Sequence, residues 1–269
     1  MTRLLTAICI FTCLEASAGR KIASPKSCAR QLGRWESFHL SSEQAFEKSL
    51  HQLFRNGLNL VVRGDKPVSE LTLDGSYYST HEFFLHLEKL REERKFENNN
   101  IGWFFAESTT SAKEGGEDQI YFYNKIAIQA LIENKDAMKN LKKAGLGEIH
   151  STDDVIRILK RIIENRNPAT INEHLFLGTV FGYPPEDVRK FVNLEEGDIT
   201  KGRIYRVTHL GSKNEDQKSF AFRTFLPVGS KQLKDLDDRS WESLKWYEKQ
   251  RREGKSDLEL LITSGRSIP

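Results

Sequence analysis

The segment Leu175 to Phe181, Leu-Phe-Leu-Gly-Thr-Val-Phe, constrains this chain more than any other. It is introduced by Thr170-Ile171-Asn172-Glu173. That is a capping box, in which the threonine oxygen bonds the third helical amide and the glutamate reaches back to the cap. The helix so started is apolar nearly all round, and a helix with no polar face belongs in the middle of a core. Gly178 within it costs ~1 kcal/mol of helix propensity, so a neighbour is expected to pack close there. The chain then turns at Gly182-Tyr183 and restarts at Pro184-Pro185-Glu186-Asp187. Proline in the first turn and acids at the positive helix end mark that start. Val188, Phe191 and Val192 give this second helix its buried face.

Other helices are signalled in the same way. Ser41-Ser42-Glu43-Gln44 is a capping box ahead of Phe46, Leu50, Leu53 and Phe54, and Gly57 is the expected stop. Ser79-Thr80-His81-Glu82 repeats the box before Phe83, Phe84, Leu87 and Leu90. Ser151 or Thr152 starts a helix with Val155, Ile156, Leu159, Ile162 and Ile163 on one side and charges on the other. A further helix is expected from about 237 to 252. Strands are expected at 58–62, 101–106, 119–123 and 258–263, with 203–210 and 219–226 forming an antiparallel hairpin. These elements predict an α+β fold. Its helical centre, from about residue 124 to 194, packs with a small, mostly antiparallel sheet drawn from the flanking segments.

The N-terminus predicts export. Met1-Thr2-Arg3 carries one positive side chain, an apolar run follows from Leu4 to Leu14, and Ala16-Ser17-Ala18 fits the small-x-small site of signal peptidase. The expected leader is 1–18, cleaved between Ala18 and Gly19, leaving 19–269 as a single domain. Two subdomains, 19–146 and 147–269, are the alternative division. The apolar run is too short to cross ~30 Å of hydrocarbon, and no later run is long enough, so no transmembrane segment is expected after cleavage. Of the three cysteines, Cys9 and Cys13 leave with the leader, so Cys28 has no intramolecular disulfide partner. No asparagine lies in a glycosylation sequon, which tilts the origin towards a bacterial envelope or exterior, periplasmic or secreted. The net charge of +3 is small for 269 residues, and charges of both signs are mixed along the chain, so no nucleic acid partner is expected.

No cofactor or metal motif with the right spacing is present. His81-Glu82-Phe83-Phe84-Leu85-His86 is one residue longer than the zincin motif, which places its histidines about 140° apart on a helix rather than on one face. In Asp235-Leu236-Asp237-Asp238, Arg239 at the fifth position and Trp246 at the twelfth exclude an EF-hand. G-x-S-x-G, Walker A and G-x-G-x-x-G patterns do not occur. His174 and Glu173 are the candidate acid-base pair, beside the core segment. The simpler account is that Glu173 closes the capping box and His174 is a helix-start residue. Trp246, Tyr247, Lys249, Arg251 and Arg252 mix aromatics with cations and are the candidate binding surface. Equally, they form the basic end of a helix that complements its own dipole.

The stretch Gly178 to Val188 resembles a Gly-Tyr-Pro, Asp-Val signature of uncharacterised bacterial helical domains. The resemblance carries over no activity. The functional expectation is an exported, non-catalytic binding protein with an envelope or extracellular partner. The alternative is an envelope or secreted hydrolase whose site is assembled from distant residues. N-terminal sequencing of exported material should begin at Gly19, and an intact Met1 on cytoplasmic protein would contradict export.

Overall fold

The computed structural model describes residues 41–73, 79–93, 100–107, 118–165, 169–193, 203–207, 220–224 and 230–263. Three capping boxes read from sequence are formed. Ser41 with Gln44 starts α1 (Ser42–Leu53), Ser79 with Glu82 starts α3 (Thr80–Glu92), and Thr170 with Glu173 starts α7 (Ile171–Val180). Between α1 and α3 the chain makes a π-helical turn (Phe54–Leu58), then α2 (Asn59–Arg63) and β1 (Val68–Leu71).

After α3 come β2 (Ile101–Ala106) and β3 (Gln119–Asn124). Four helices then fill the helical centre: α4 (Lys125–Glu133), α5 (Lys135–Ala144), α6 (Thr152–Glu164) and α7. The corner helix α8 (Pro185–Val192) follows, then the hairpin strands β4 (Arg203–Val207) and β5 (Phe220–Thr224), and last α9 (Lys231–Arg252) and α10 (Asp257–Thr263).

The fold is α+β, as the sequence predicts. The flanking segments form two sheets: β1-β3-β2, antiparallel with β3 central, and the separate pair β4-β5. The register of the first sheet sorts its residues onto two faces. Ser69 and Leu71 of β1 oppose Phe122 and Ile120 of β3, which in turn oppose Trp103 and Phe105 of β2. The other face carries Val68, Phe104 and Tyr121.

Both faces are covered. Leu71, Ile101, Trp103, Ile120 and Phe122 join a core with α1, α3 and the C-terminal helices. Val68, Phe104 and Tyr121 join a second core with α4 to α8. Strands buried on both sides read as unbroken apolar runs, here Ile-Gly-Trp-Phe-Phe-Ala and Ile-Tyr-Phe-Tyr, because neither face needs polar residues. Asn124 closes the sheet onto the helices. Its Nδ2 donates to the Val61 carbonyl at 2.8 Å and its Oδ1 accepts from the Ala127 amide at 3.1 Å, starting α4.

Two predicted strands are helices. Residues 58–62 belong to the π turn and α2, and Leu58 to Val62 are buried at every position, so no polar side marks the helical period. Gly57, read as a stop, instead sits inside the π turn at φ 123°. Residues 258–263 belong to α10, whose amide at Glu259 donates to Ser256 Oγ at 3.1 Å. Its buried residues Asp257, Leu260 and Leu261 follow helical spacing.

The central apolar helix is only half in the core. Leu175, Phe176 and Val180 are buried, whereas Leu177, Gly178 and Phe181 are half-buried and Ile171 is 66% exposed. The expected close neighbour at Gly178 is Val188, since a Cβ built there would lie 2.9 Å from Val188 Cγ1. Urea melts should show Phe176→Ala costing ~3–5 kcal/mol and the half-buried Phe181→Ala less. Gly178→Leu should lose ~1–3 kcal/mol through overpacking. Wild-type melting of Phe176→Ala would contradict the core assignment.

Candidate functional site

The corner between α7 and α8 is built from its glycines outward. α7 ends in a Schellman arrangement: Gly182 N donates to Thr179 O at 3.0 Å and Tyr183 N to Gly178 O at 3.1 Å. Gly182 has φ 78°, a left-handed conformation that a side chain resists, and a Cβ there would also meet Pro67 Cδ at 2.9 Å. Pro185 at the first position of α8 restarts the helix with an orphan donor removed. Close packing of Gly178 on Val188 then brings the two helices together.

The partly exposed apolar side of α7 and the inner side of α8 enclose a cleft of about 270 Å³. His174, Leu177 and Phe181 form one wall, Tyr183 the end, and Asp187 and Phe191 the other wall. The His174 and Phe191 rings meet edge to face, with centroids 5.5 Å apart and planes at 76°. Phe181 rests on Tyr121, 6.4 Å away, which stacks on Phe104 at 5.0 Å, so the sheet supports the cleft. Across the same turn lies a more polar groove of about 380 Å³, reached by Asn134, Thr179, Tyr183, Pro184, Gln232 and Arg239.

Ionisable groups gather beneath the corner. Burial lowers the Lys66 amine to about 8, against the opposing pull of Glu70. Glu70 keeps solvent contact, yet the protein packed around it raises its carboxyl, opposed by hydrogen bonding from Tyr121 and by the charge on Lys66. Burial also raises the Tyr183 hydroxyl, and the carboxylates of Glu70 and Asp187 raise it further. The cavity against Lys66, lined also by Asp65, Tyr183 and Arg239, is only about 20 Å³, room for about one water.

The structure places the sequence candidates in different surroundings. His174 lines the cleft. Glu173 is held at the helix start, where its Oε2 accepts from Thr170 N at 2.7 Å and its amide donates to Thr170 Oγ1 at 3.2 Å. That bonding lowers its carboxyl, so Glu173 acts as a cap apart from the cleft.

Of the aromatic and basic residues on α9, Tyr247 turns inward at 2% exposure, while Lys249, Arg251 and Arg252 are exposed and Trp246 packs partly against the core. His81 meets Phe105 edge-on and His86 stacks on Phe46, so the two histidines serve different neighbours. Among the described residues, no group of three or more His, Cys, Asp or Glu could hold a metal ion. No described helix is long and apolar enough to cross a membrane. All three cysteines lie outside the described residues.

A buried polar tie was not legible as a pattern. Tyr247 Oη donates to Asp257 Oδ1 at 2.8 Å, and His51 Nδ1 lies 2.7 Å from that hydroxyl and 3.1 Å from Asp257 Oδ2. Burial, then the Asp257 charge, holds the Tyr247 hydroxyl well above its usual range. The three residues are separated by up to 206 positions, yet they join α1, α9 and α10.

A family of proteins of unknown function, DUF3793, matches residues 64–221, more than half of the chain. The chain belongs to the DUF3793 family. The DUF3793 segment contains the first sheet, α3 to α8 and every residue that lines the cleft, whereas Gln232 and Arg239 of the polar groove lie beyond it. No curated protein and no solved structure matches the chain.

The capping carboxylates have a defined pH signature. Hydrogen bonds lower Glu82, Asp154 and Glu173 below their ordinary values. A lowered folded-state value means stability that is present above the unfolded carboxylate pKa and lost as pH falls through the folded one. Glu173→Gln keeps a capping amide but cannot titrate. Urea melts between pH 7 and 3 should show a shallower acid loss in this variant, and an unchanged slope would contradict the capping role.

Proposed function

We propose that this chain is an exported, non-catalytic binding protein whose ligand sits in the cleft at the α7–α8 corner. The cleft itself carries the reading. Its size suits a small ligand, and its lining of aliphatic and aromatic side chains with a few polar groups is the usual composition of a binding site. α7 supports it, because a helix apolar nearly all round leaves Leu177 and Phe181 only half-buried along the opening. Export rests on Arg3, the apolar run Leu4 to Leu14, and Ala16-Ser17-Ala18. The envelope or the exterior is then where the ligand is met.

A hydrolase is the second reading, favoured by one observation: His174 and Asp187, a potential base and a carboxylate, share the cleft. His174→Ala separates the two readings. It should leave binding largely intact if the ring only forms a wall, whereas loss of turnover of a bound ligand would favour the enzyme.

Titration with the neutral fluorophore N-phenyl-1-naphthylamine tests the cleft. Saturable one-to-one binding is expected, weakened at least about tenfold by Leu177→Glu with a cooperative melt retained, since the charge must be desolvated on an apolar wall. No saturable binding to the wild type would overturn the reading.

A further inference from the structure

We infer that the polar groove across the Gly182–Tyr183 turn is a second binding site, which takes a free α-amino acid with an aliphatic side chain. The inference does not depend on the cleft. The groove encloses about 380 Å³, and side chains of opposite charge line it: Asp235 and Arg239, one turn apart on α9. Both are exposed, and an acid and a base at i and i+4 on a helix are near enough to pair. Among the described residues no ion pair joins them. Arg239 instead donates from Nε to the Asp235 carbonyl oxygen at 3.2 Å. That bond leaves the two Nη groups of Arg239 and the carboxylate of Asp235 at the groove without a hydrogen-bond partner among the described residues.

A ligand of a single charge suits only half of this wall. An anion is drawn to Arg239 and repelled by Asp235, and a cation meets the reverse. An α-amino acid carries both charges on one carbon, so a single molecule can span the pair. Its carboxylate lies across the Nη groups in the bidentate manner of a guanidinium, and its ammonium donates to Asp235. Asp65 also lines the groove, but it is paired with Arg63, whose Nε lies 3.4 Å from Oδ2. Asn134 adds donors to the Arg239 side of the recognition. Its Oδ1 already accepts from the Asp136 and Ala137 amides at 3.0 Å, which leaves its amide N–H groups for a carboxylate. Ala127 and Leu131 give the groove an apolar bed for an aliphatic side chain. Asn134, Ala127 and Leu131 lie within the DUF3793 match, whereas Asp235 and Arg239 lie beyond it, so α9 adds the charge recognition to the family segment.

The test titrates the full chain with leucine while following the methyl resonances of Ala127 and Leu131. Leucinamide removes the ligand's carboxylate, and 4-methylpentanoate removes its ammonium. Leucine should give saturable shifts below about 10 mM, and each truncated ligand should bind about tenfold more weakly. Arg239→Gln should erase the preference over leucinamide and keep that over 4-methylpentanoate. Asp235→Asn should do the reverse. Both side chains are exposed, so the variants should keep the wild-type urea melt.

Absence of saturable shifts with leucine overturns the site. Binding of leucinamide or 4-methylpentanoate as tightly as leucine overturns the zwitterion, and so do preferences that survive unchanged in both variants. Tighter binding of leucylleucine, whose charges stand further apart, would overturn the free amino acid in favour of a peptide. Shifts at the Leu177 and Val188 methyls in place of Ala127 and Leu131 would put the ligand in the cleft and overturn the groove.

Discussion

Burial of β3 on both faces is the constraint from which the rest of the structure follows. Alternating residues Ile120, Tyr121 and Phe122 are all nearly inaccessible, yet they point into two different cores. An antiparallel sheet often leaves one face to water; this one cannot, because β2 opposes it with Trp103 and Phe104 on opposite sides. One helical layer from the N- and C-terminal segments must cover one face, and the helical centre must cover the other. α1 is thereby brought together with α9 and α10. The tie from His51 to Tyr247 and Asp257 then satisfies the polar groups that such an arrangement buries.

The cleft is a by-product of the second layer. Tyr121 stacks on Phe104 and supports Phe181, which places the end of α7 at the rim of the core instead of its middle. Half of an apolar helix is thereby left for α8 to roof. The roof can come close only because Gly178 lacks a side chain and Gly182 accepts a left-handed turn. Stability and the shape of the cleft draw on the same residues at this corner.

Helix starts were legible because a cap is local: serine or threonine, the third helical residue and the first apolar turn lie within a few positions. The strong amphipathic run of α6 and the close approach at Gly178 were legible for the same reason. Leu58 to Val62 misled because a short segment buried on all sides has no visible period, and β-branched valines then favour a strand. Leu258 to Thr263 misled because a short run of leucines and isoleucine reads as a strand, although Asp257, Leu260 and Leu261 keep helical spacing and Ser256 and Glu259 carry that of a cap. The four-residue strand β1 gave no signal of its own, since pairing with β3 creates it. His174 could be singled out by its position beside an apolar run. Its cleft neighbours Asp187 and Phe191 were legible only as helix-start and core-face residues, because the cleft arises from how two helices meet. Tyr247 was grouped with cations by sequence adjacency, and the helix turned it the other way.

Native-state hydrogen exchange at the β3 amides tests the two-faced sheet most directly. Residues 120–122 are paired on both edges and covered on both faces. Their amides should exchange only through global unfolding, with a free energy equal to that from urea melts and as high as the slowest amides of α6. Exchange of these amides through local opening, ~2 kcal/mol or more below the global value, would show that the sheet is not the element on which both cores depend.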